Sequence, residues 1–379
     1  MSAQTMRAGA FLTINLEAIV SNWRLLSKLA KPAECAAVVK ADAYGLGAPE
    51  VAAALQEAGC KTFFVAHLDE GLVLRKAIGF RSRVFVLNGT PPGAEAEFLR
   101  SVLIPVVNTA GELAAWRSHA CEAGRSMPVA LHLDTGMARL GLSSGDVAML
   151  AGDPSLLEGL SVELIMSHLA CADEPAHRAN QQQRREFAKL RSVFAKKARS
   201  SLANSSGIFL GQGFHGDLVR PGAALYGINP VPGAPNPMRQ VVRLSARVLQ
   251  LRDVPTGTRV GYGHTFCADR RMRLATLSIG YADGWPRTAT TSVFFGGTRL
   301  PFAGRVSMDS IVVDATDCAD LPGEGSFVDL LCPEQTVDDV ASDAGTIGYE
   351  ILTRLGQRFS REYQTHSMLR RSPTRSNST

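Results

Sequence analysis

Residues 36–47 read Ala-Ala-Val-Val-Lys40-Ala-Asp-Ala-Tyr44-Gly-Leu-Gly. An apolar run closes on one lysine, and small residues, a tyrosine and two glycines follow at once. Burial disfavours the ammonium form, so a lysine there titrates low. A neutral amine can attack an aldehyde and hold it as a Schiff base. The plain alternative is a lysine whose stem lies on apolar surface while its head reaches water. Four further segments place polar groups just after apolar runs: Leu133-Asp134-Thr-Gly-Met-Ala-Arg139-Leu-Gly141, Met166-Ser167-His168, Ala203-Asn204-Ser205-Ser206 and Val219-Arg220-Pro-Gly222. Together they offer two guanidiniums, an imidazole, small hydroxyls and a bare backbone. With the amine, that set suits a phosphorylated, anionic aldehyde. Ser205 and the amides near Gly222 could cradle its phosphate. Taken singly, His168 reads as a core histidine, Arg139 as a surface charge and Asn204-Ser205 as a capping pair. Their gathering at one rim is what argues for chemistry.

Gathering them requires a scaffold. Eight apolar runs read as strands: 35–39, 62–66, 83–87, 103–107, 128–133, 161–167, 200–204 and 217–220. Amphipathic stretches such as 49–58, 68–78, 109–123 and 177–199 lie between them. Strict alternation implies a parallel sheet, and eight units imply a closed (β/α)8 TIM-like barrel. Such barrels place chemistry at the C-terminal ends of their strands, where all five polar segments fall. The stretch 228–237 holds four prolines and a glycine and reads as a linker. Beyond it, β-rich runs at 241–251, 272–279, 298–302, 305–313 and 325–331 imply a mainly antiparallel β domain, with helical pattern at 336–356. The expected organisation is a barrel over 10–232, a β domain over 238–365 and a disordered tail over 366–379.

Composition narrows the class. The net charge of +5 is mild and spread along the chain, which argues against nucleic acid as partner. The N-terminal segment lacks the apolar core of a secretion signal, and no run of apolar residues could span a membrane. Seven cysteines, an odd number without a Cys-x-x-Cys pair, fit reduced thiols in a cytoplasm. His132, Asp134 and His168 could be taken for ligands but no metal motif accompanies them, so no metal is expected.

The Lys40 segment, Asp134-Thr-Gly-Met-Ala-Arg139-Leu-Gly, His168-Leu-Ala-Cys-Ala-Asp, Ala-Asn204-Ser205, Arg220-Pro-Gly222, Gly261-Tyr262-Gly-His-Thr, Ile-Gly280-Tyr281-Ala-Asp-Gly and Gly-Arg305-Val-Ser-Met308-Asp309 occur in that order. The chain thereby resembles bacterial alanine racemase over essentially residues 10–360. The resemblance implies pyridoxal 5′-phosphate bound to Lys40 and interconversion of L-alanine and D-alanine, for peptidoglycan synthesis or alanine catabolism. A planar carbon needs one base on each face; Lys40 would serve the D-face and Tyr262 the L-face. Tyr262 would come from the partner subunit of a head-to-tail homodimer. Tyr44, Ser205 and Gly222 would hold the phosphate, with Asn204 nearby. Arg139 would bond the phenolic oxygen of the cofactor and help place the substrate. Arg220 would face the ring nitrogen, in a chain of hydrogen bonds through His168 to Tyr262. The Met308 amide would receive the substrate carboxylate, and Tyr281 would gate the entrance. A broader amino-acid racemase of the same fold is the main alternative.

Two departures stand out. Many members of that family carry a carbamylated lysine that orients the arginine; here the position is His132, which cannot form the same stable carbamate. An anion or another side chain should orient Arg139. A phosphate-contacting tyrosine found in many members also lacks a counterpart in Leu355-Gly-Gln357-Arg358-Phe359, unless Gln357 supplies the contact.

Overall fold

The computed structural model describes residues 7–194, 198–318, 320 and 323–365. The chain forms two compact units, Ile19–Arg239 and Met1–Ala18 with Gln240–Thr379. Its first strand, β1 (Ala10–Asn15), belongs to the second of these. This corrects the expected barrel boundary at residue 10. The strand alternates buried Ala10, Leu12 and Ile14 with half-buried residues, a period-two pattern that suits a sheet with two unlike faces.

The Ile19–Arg239 unit contains β2 (Glu34–Cys35), β3 (Ala37–Val38), β4 (Thr62–Val65), β5 (Arg83–Val86), β6 (Ile104–Val107), β7 (Met127–His132), β8 (Leu160–Met166), β9 (Arg199–Ser201) and β10 (Leu218–Val219). Strands β3 to β9 pair in sequence order, all parallel. The expected first strand at 35–39 is two short pieces. β2 pairs with β10 and β3 with β4, and the Val38 amide still donates to the Pro221 carbonyl (2.9 Å), so this stretch lies between both neighbours. Backbone bonds from Asp217 to Ser200 (2.8 Å) and Arg220 to Ala203 (2.9 Å) close the remaining gap. β4 and β6 are buried at every position, because helices cover the outside while the ring fills its own interior. Val38, Phe64, Phe85, Val106, Leu164 and Met166 supply that filling. At the N-terminal ends of the strands, Glu34 on β2 accepts from Arg83 on β5 (3.0 Å) and Arg199 on β9 (2.8 Å), tying both sides of the ring. The helix expected at 177–199 spans Arg178–Arg191.

The second unit adds β11 (Val242–Val254), β12 (Arg259–Val260), β13 (Phe266–Cys267), β14 (Met272–Leu277), β15 (Ser292–Phe295), β16 (Thr298–Pro301), β17 (Ile311–Asp314), β18 (Phe327–Leu331) and β19 (Ser360–Gln364). The path β16-β15-β18-β11-β1-β19 is antiparallel except where β19 joins β1. The long β11 shifts register between Val248 and Gln250, and past that irregularity it pairs with β14, which carries β17. The strand expected at 305–313 is confined to Ile311–Asp314, since Ser307 and Ser310 close a loop before it (3.0 Å). The tail expected to be disordered, 366–379, lies outside the described residues.

Candidate active site

Lys40 lies two residues past the end of β3 and is half-buried. The four residues after it, Ala41 to Tyr44, all have φ between 52° and 58°, one full turn of left-handed helix. For L-residues that conformation costs roughly 1–2 kcal/mol each, so strong contacts must impose it. Glu70 supplies one. Its Oε1 accepts from the Ala41 amide (2.7 Å), while Oε2 accepts from the amides of Ala66 (2.7 Å) and His67 (3.2 Å) after β4. Asp42 Oδ1 accepts from the Ala48 amide (2.7 Å), and the Tyr44 ring packs on Tyr226 with centroids 4.7 Å apart. Tyr226 Oη donates to the Val38 carbonyl (2.9 Å), bracing the strand that carries the lysine. Burial pushes the Lys40 amine below its ordinary pKa, the Arg139 charge adds to this, and Glu70 opposes it.

Ser205, Gly222 and Tyr44 meet beside this turn. Ser205 Oγ accepts from the amides of Gly222 (3.0 Å) and Ala224 (3.2 Å). A Cβ on residue 222 would lie 2.4 Å from Tyr44 Oη, so glycine alone lets the backbone approach the phenol. Two hydroxyls and two amides thus meet in one small cluster, with the amides bonded to Ser205 Oγ. Asn204 acts as a cap, its Oδ1 accepting from the Gly207 amide (2.9 Å).

The remaining polar side chains of the rim are cationic or imidazole. Arg220 is 3% exposed and has no carboxylate partner among the described residues. Its guanidinium donates to Ser201 Oγ through Nη1 and to the Ser167 carbonyl through Nη2 (2.5 Å). Burial lowers its pKa to about 9, which still leaves a cation at neutral pH. Among the described residues Arg220 makes no hydrogen bond to His168, contrary to expectation; its Nη1 and Nη2 bond Ser201 and Ser167. Instead, burial first and then the charges of Arg220, Arg139, His132 and Lys40 hold the His168 imidazole neutral. His132 is bonded through Nδ1 to Asn108 Oδ1 (2.8 Å), and burial with Arg220 lowers its pKa to about 4. Asn108 Nδ2 donates to the Val106 and Leu87 carbonyls, so its oxygen faces the imidazole and His132 keeps its proton on Nδ1. Arg139 is exposed and makes no ion pair among the described residues. Asp134 shapes its loop by accepting from the amides of Gly136, Met137 and Ala138 (2.9–3.2 Å). Burial raises the Asp134 pKa, but these bonds outweigh it and keep the carboxylate ionised. Among the described residues, no group of acidic, histidine or cysteine side chains is placed to hold a metal.

The second unit holds the other expected residues. Tyr262, 71% exposed, lies in a short turn after β12. The Tyr281 turn packs on the Met308 loop: the Tyr281 amide donates to the Ser307 carbonyl and the Ala282 amide to the Met308 carbonyl, each at 3.0 Å. A Cβ at Gly280 would lie 2.2 Å from the Met308 oxygen, so this contact requires glycine. The Met308 amide itself has no acceptor among the described residues.

Family comparison decides between the readings this geometry allows. Residues 14–230 match the alanine racemase N-terminal domain, and residues 241–363 match the C-terminal domain. The chain belongs to the alanine racemase family. It is 55% identical to a catabolic alanine racemase of Mesorhizobium japonicum, over 94% of this chain and 93% of that one. It is 48% identical to an alanine racemase of Rhodospirillum rubrum, over 94% and 96% of the two chains. Among solved structures, the Bartonella henselae alanine racemase with covalently bound pyridoxal phosphate is similar at a TM-score of 0.90 and 43% identity, covering 94% of this chain and all of that one. The racemase fold seen there is that of the barrel and β domain described above. Sequence reading missed Glu70, Tyr226 and Asn108, which carry no reactive signature. Only the His67-x-x-Glu70 spacing at a helix start pointed to one of them.

Proposed function

We propose that this chain is a pyridoxal-phosphate-dependent alanine racemase, an isomerase that interconverts L-alanine and D-alanine through two bases. The observation that carries the reading is the half-buried, pKa-lowered Lys40 beside the Ser205–Tyr44–Gly222 cluster, with Arg139 and Arg220 making no ion pair among the described residues. An anionic phosphate and an electron-rich ring fit that deficit. Tyr44, Ser205 and the Gly222 amide would hold the phosphate, with Asn204 setting the Ser205 backbone. Arg220 keeps its Nε donor for the ring nitrogen and gives up no proton to it, since guanidinium holds its protons. Arg139 would face the ring oxygen and the substrate carboxylate.

When bound, the cofactor withdraws electron density from the substrate Cα–H bond. The chain's own groups move the proton. Lys40 Nζ, poised toward neutrality, would take or return it on the D-face. Tyr262 Oη would do so on the L-face, and its exposure in its own unit supports delivery to a partner subunit. The same homodimer would bring the unpaired Met308 amide to the substrate carboxylate and Tyr281 to the entrance. The reading places the enzyme in the cytoplasm, where it supplies D-alanine for peptidoglycan or serves alanine catabolism. The odd cysteine count without a Cys-x-x-Cys pair supports the compartment.

The test is α-deuterium exchange on both alanine enantiomers. Exchange and racemisation are expected for both; no exchange with either ends the reading. Tyr262→Phe should lose racemisation while keeping exchange on one enantiomer. Full racemisation in that variant would remove Tyr262 from the pair.

A further inference from the structure

Arg358 lies just before β19, in the segment where sequence reading found no counterpart to the usual phosphate-contacting tyrosine. Its guanidinium holds two aspartates at once. Nε lies 3.1 Å from Asp283 Oδ1, and Nη1 lies 2.8 Å from Asp309 Oδ1. Asp283 is 5% exposed and closes the Tyr281 turn, its Oδ2 accepting from the Gly280 amide (2.8 Å). Asp309 is the residue after Met308. The Gly356 amide also donates to the Asp283 carbonyl (3.0 Å), so the Arg358 segment is seated on the same turn. One planar fork therefore spans the gate turn and the carboxylate loop. A guanidinium fixes two acceptors in one plane at a set spacing, which an ammonium cannot do.

We infer that Arg358 is a positioning residue that fixes the Tyr281 turn against the Met308 loop and thereby sets how large an amino acid the site accepts. The inference rests on the assignment of Tyr281 as gate and Met308 as carboxylate receiver. With the fork removed, the nearly buried Asp283 loses its counter-charge and the two loops lose their common tether. Alanine then binds less firmly and larger side chains are excluded less well, while Lys40 and Tyr262 are untouched.

The experiment measures kcat and KM of the holoenzyme for alanine, serine and 2-aminobutyrate. Arg358→Ala should raise KM for alanine about tenfold with kcat changed less than threefold, and raise the serine-to-alanine ratio of kcat/KM at least fivefold. Arg358→Lys should restore folding and cofactor loading but only part of the discrimination. Unchanged KM and substrate ratio in Arg358→Ala, or a loss confined to kcat, overturns the inference. If Arg358→Ala does not fold, Asp309→Ala decides, since it spares the Asp283 pair and removes only the exposed arm. A rise of about threefold in KM is then expected, and no rise overturns it. Tyr281→Ala separates the two levels. A shifted substrate ratio there with none in the Arg358 and Asp309 variants refutes the clip alone; no shift in Tyr281→Ala refutes the gate assignment and the clip with it.

Discussion

His132 sits where cations crowd, and burial with the Arg220 charge keeps it neutral. That has a sign in pH. An unfolded imidazole takes a proton near 6.5, the folded one only near 4, so the unfolded chain binds more protons in between and stability falls as pH drops through that window. His168 acts in the same direction. Urea denaturation at pH 7 and 4.5 should show this loss reduced by about 2–3 kcal/mol in His132→Gln. An equal loss in both proteins would refute the assignment. Intact mass in bicarbonate should show no carbon dioxide adduct at residue 132, because a neutral imidazole already bonded to Asn108 offers no amine. The rim residues could be read from the sequence because each ends an apolar run. The His132–Asn108 pair could not, since the two are 24 residues apart and meet only because β6 and β7 are neighbours.

The left-handed turn after Lys40 is the element that aims the amine. Ala41 is exposed and held at positive φ without a side-chain contact that demands alanine. Replacing it with glycine removes a Cβ penalty of about 1–2 kcal/mol and adds unfolded-state entropy of about 0.5–1 kcal/mol. Ala41→Gly should therefore stabilise the protein by about 0.5 kcal/mol in urea, the reverse of a normal helix. Glu70→Ala frees the Ala41 amide and should weaken cofactor retention about tenfold in dialysis, with the secondary structure intact by circular dichroism. The two glycines at 45 and 47 announced a turn to the sequence reader. Its handedness was hidden, because Ala, Asp and Tyr have no preference that predicts four successive positive φ values. The β1 strand was hidden for a related reason: its partners, β11 and β19, lie more than 200 residues away.

At the scale of the whole molecule, the expected residue set is divided between the units: Lys40 and the cofactor-facing residues lie in one, Tyr262, Tyr281 and Met308 in the other. If sites are shared across a homodimer, mixing inactive Lys40→Ala with inactive Tyr262→Phe should regenerate one complete site per mixed dimer, about one quarter of wild-type racemisation after random exchange. No recovery despite demonstrated exchange would refute the shared site. The alternation of strands and helices made the barrel legible, and the change to β-rich runs marked the second unit. Arg220 is buried among neutral acceptors, and among the described residues neither it nor Lys40 nor Arg139 makes an ion pair, which leaves the rim with an excess of positive charge. The consequence is thermal. Inorganic phosphate alone, with no catalytic chemistry to offer, should raise the melting temperature of the cofactor-free protein, so that heat resistance becomes a gauge of how completely the barrel is filled.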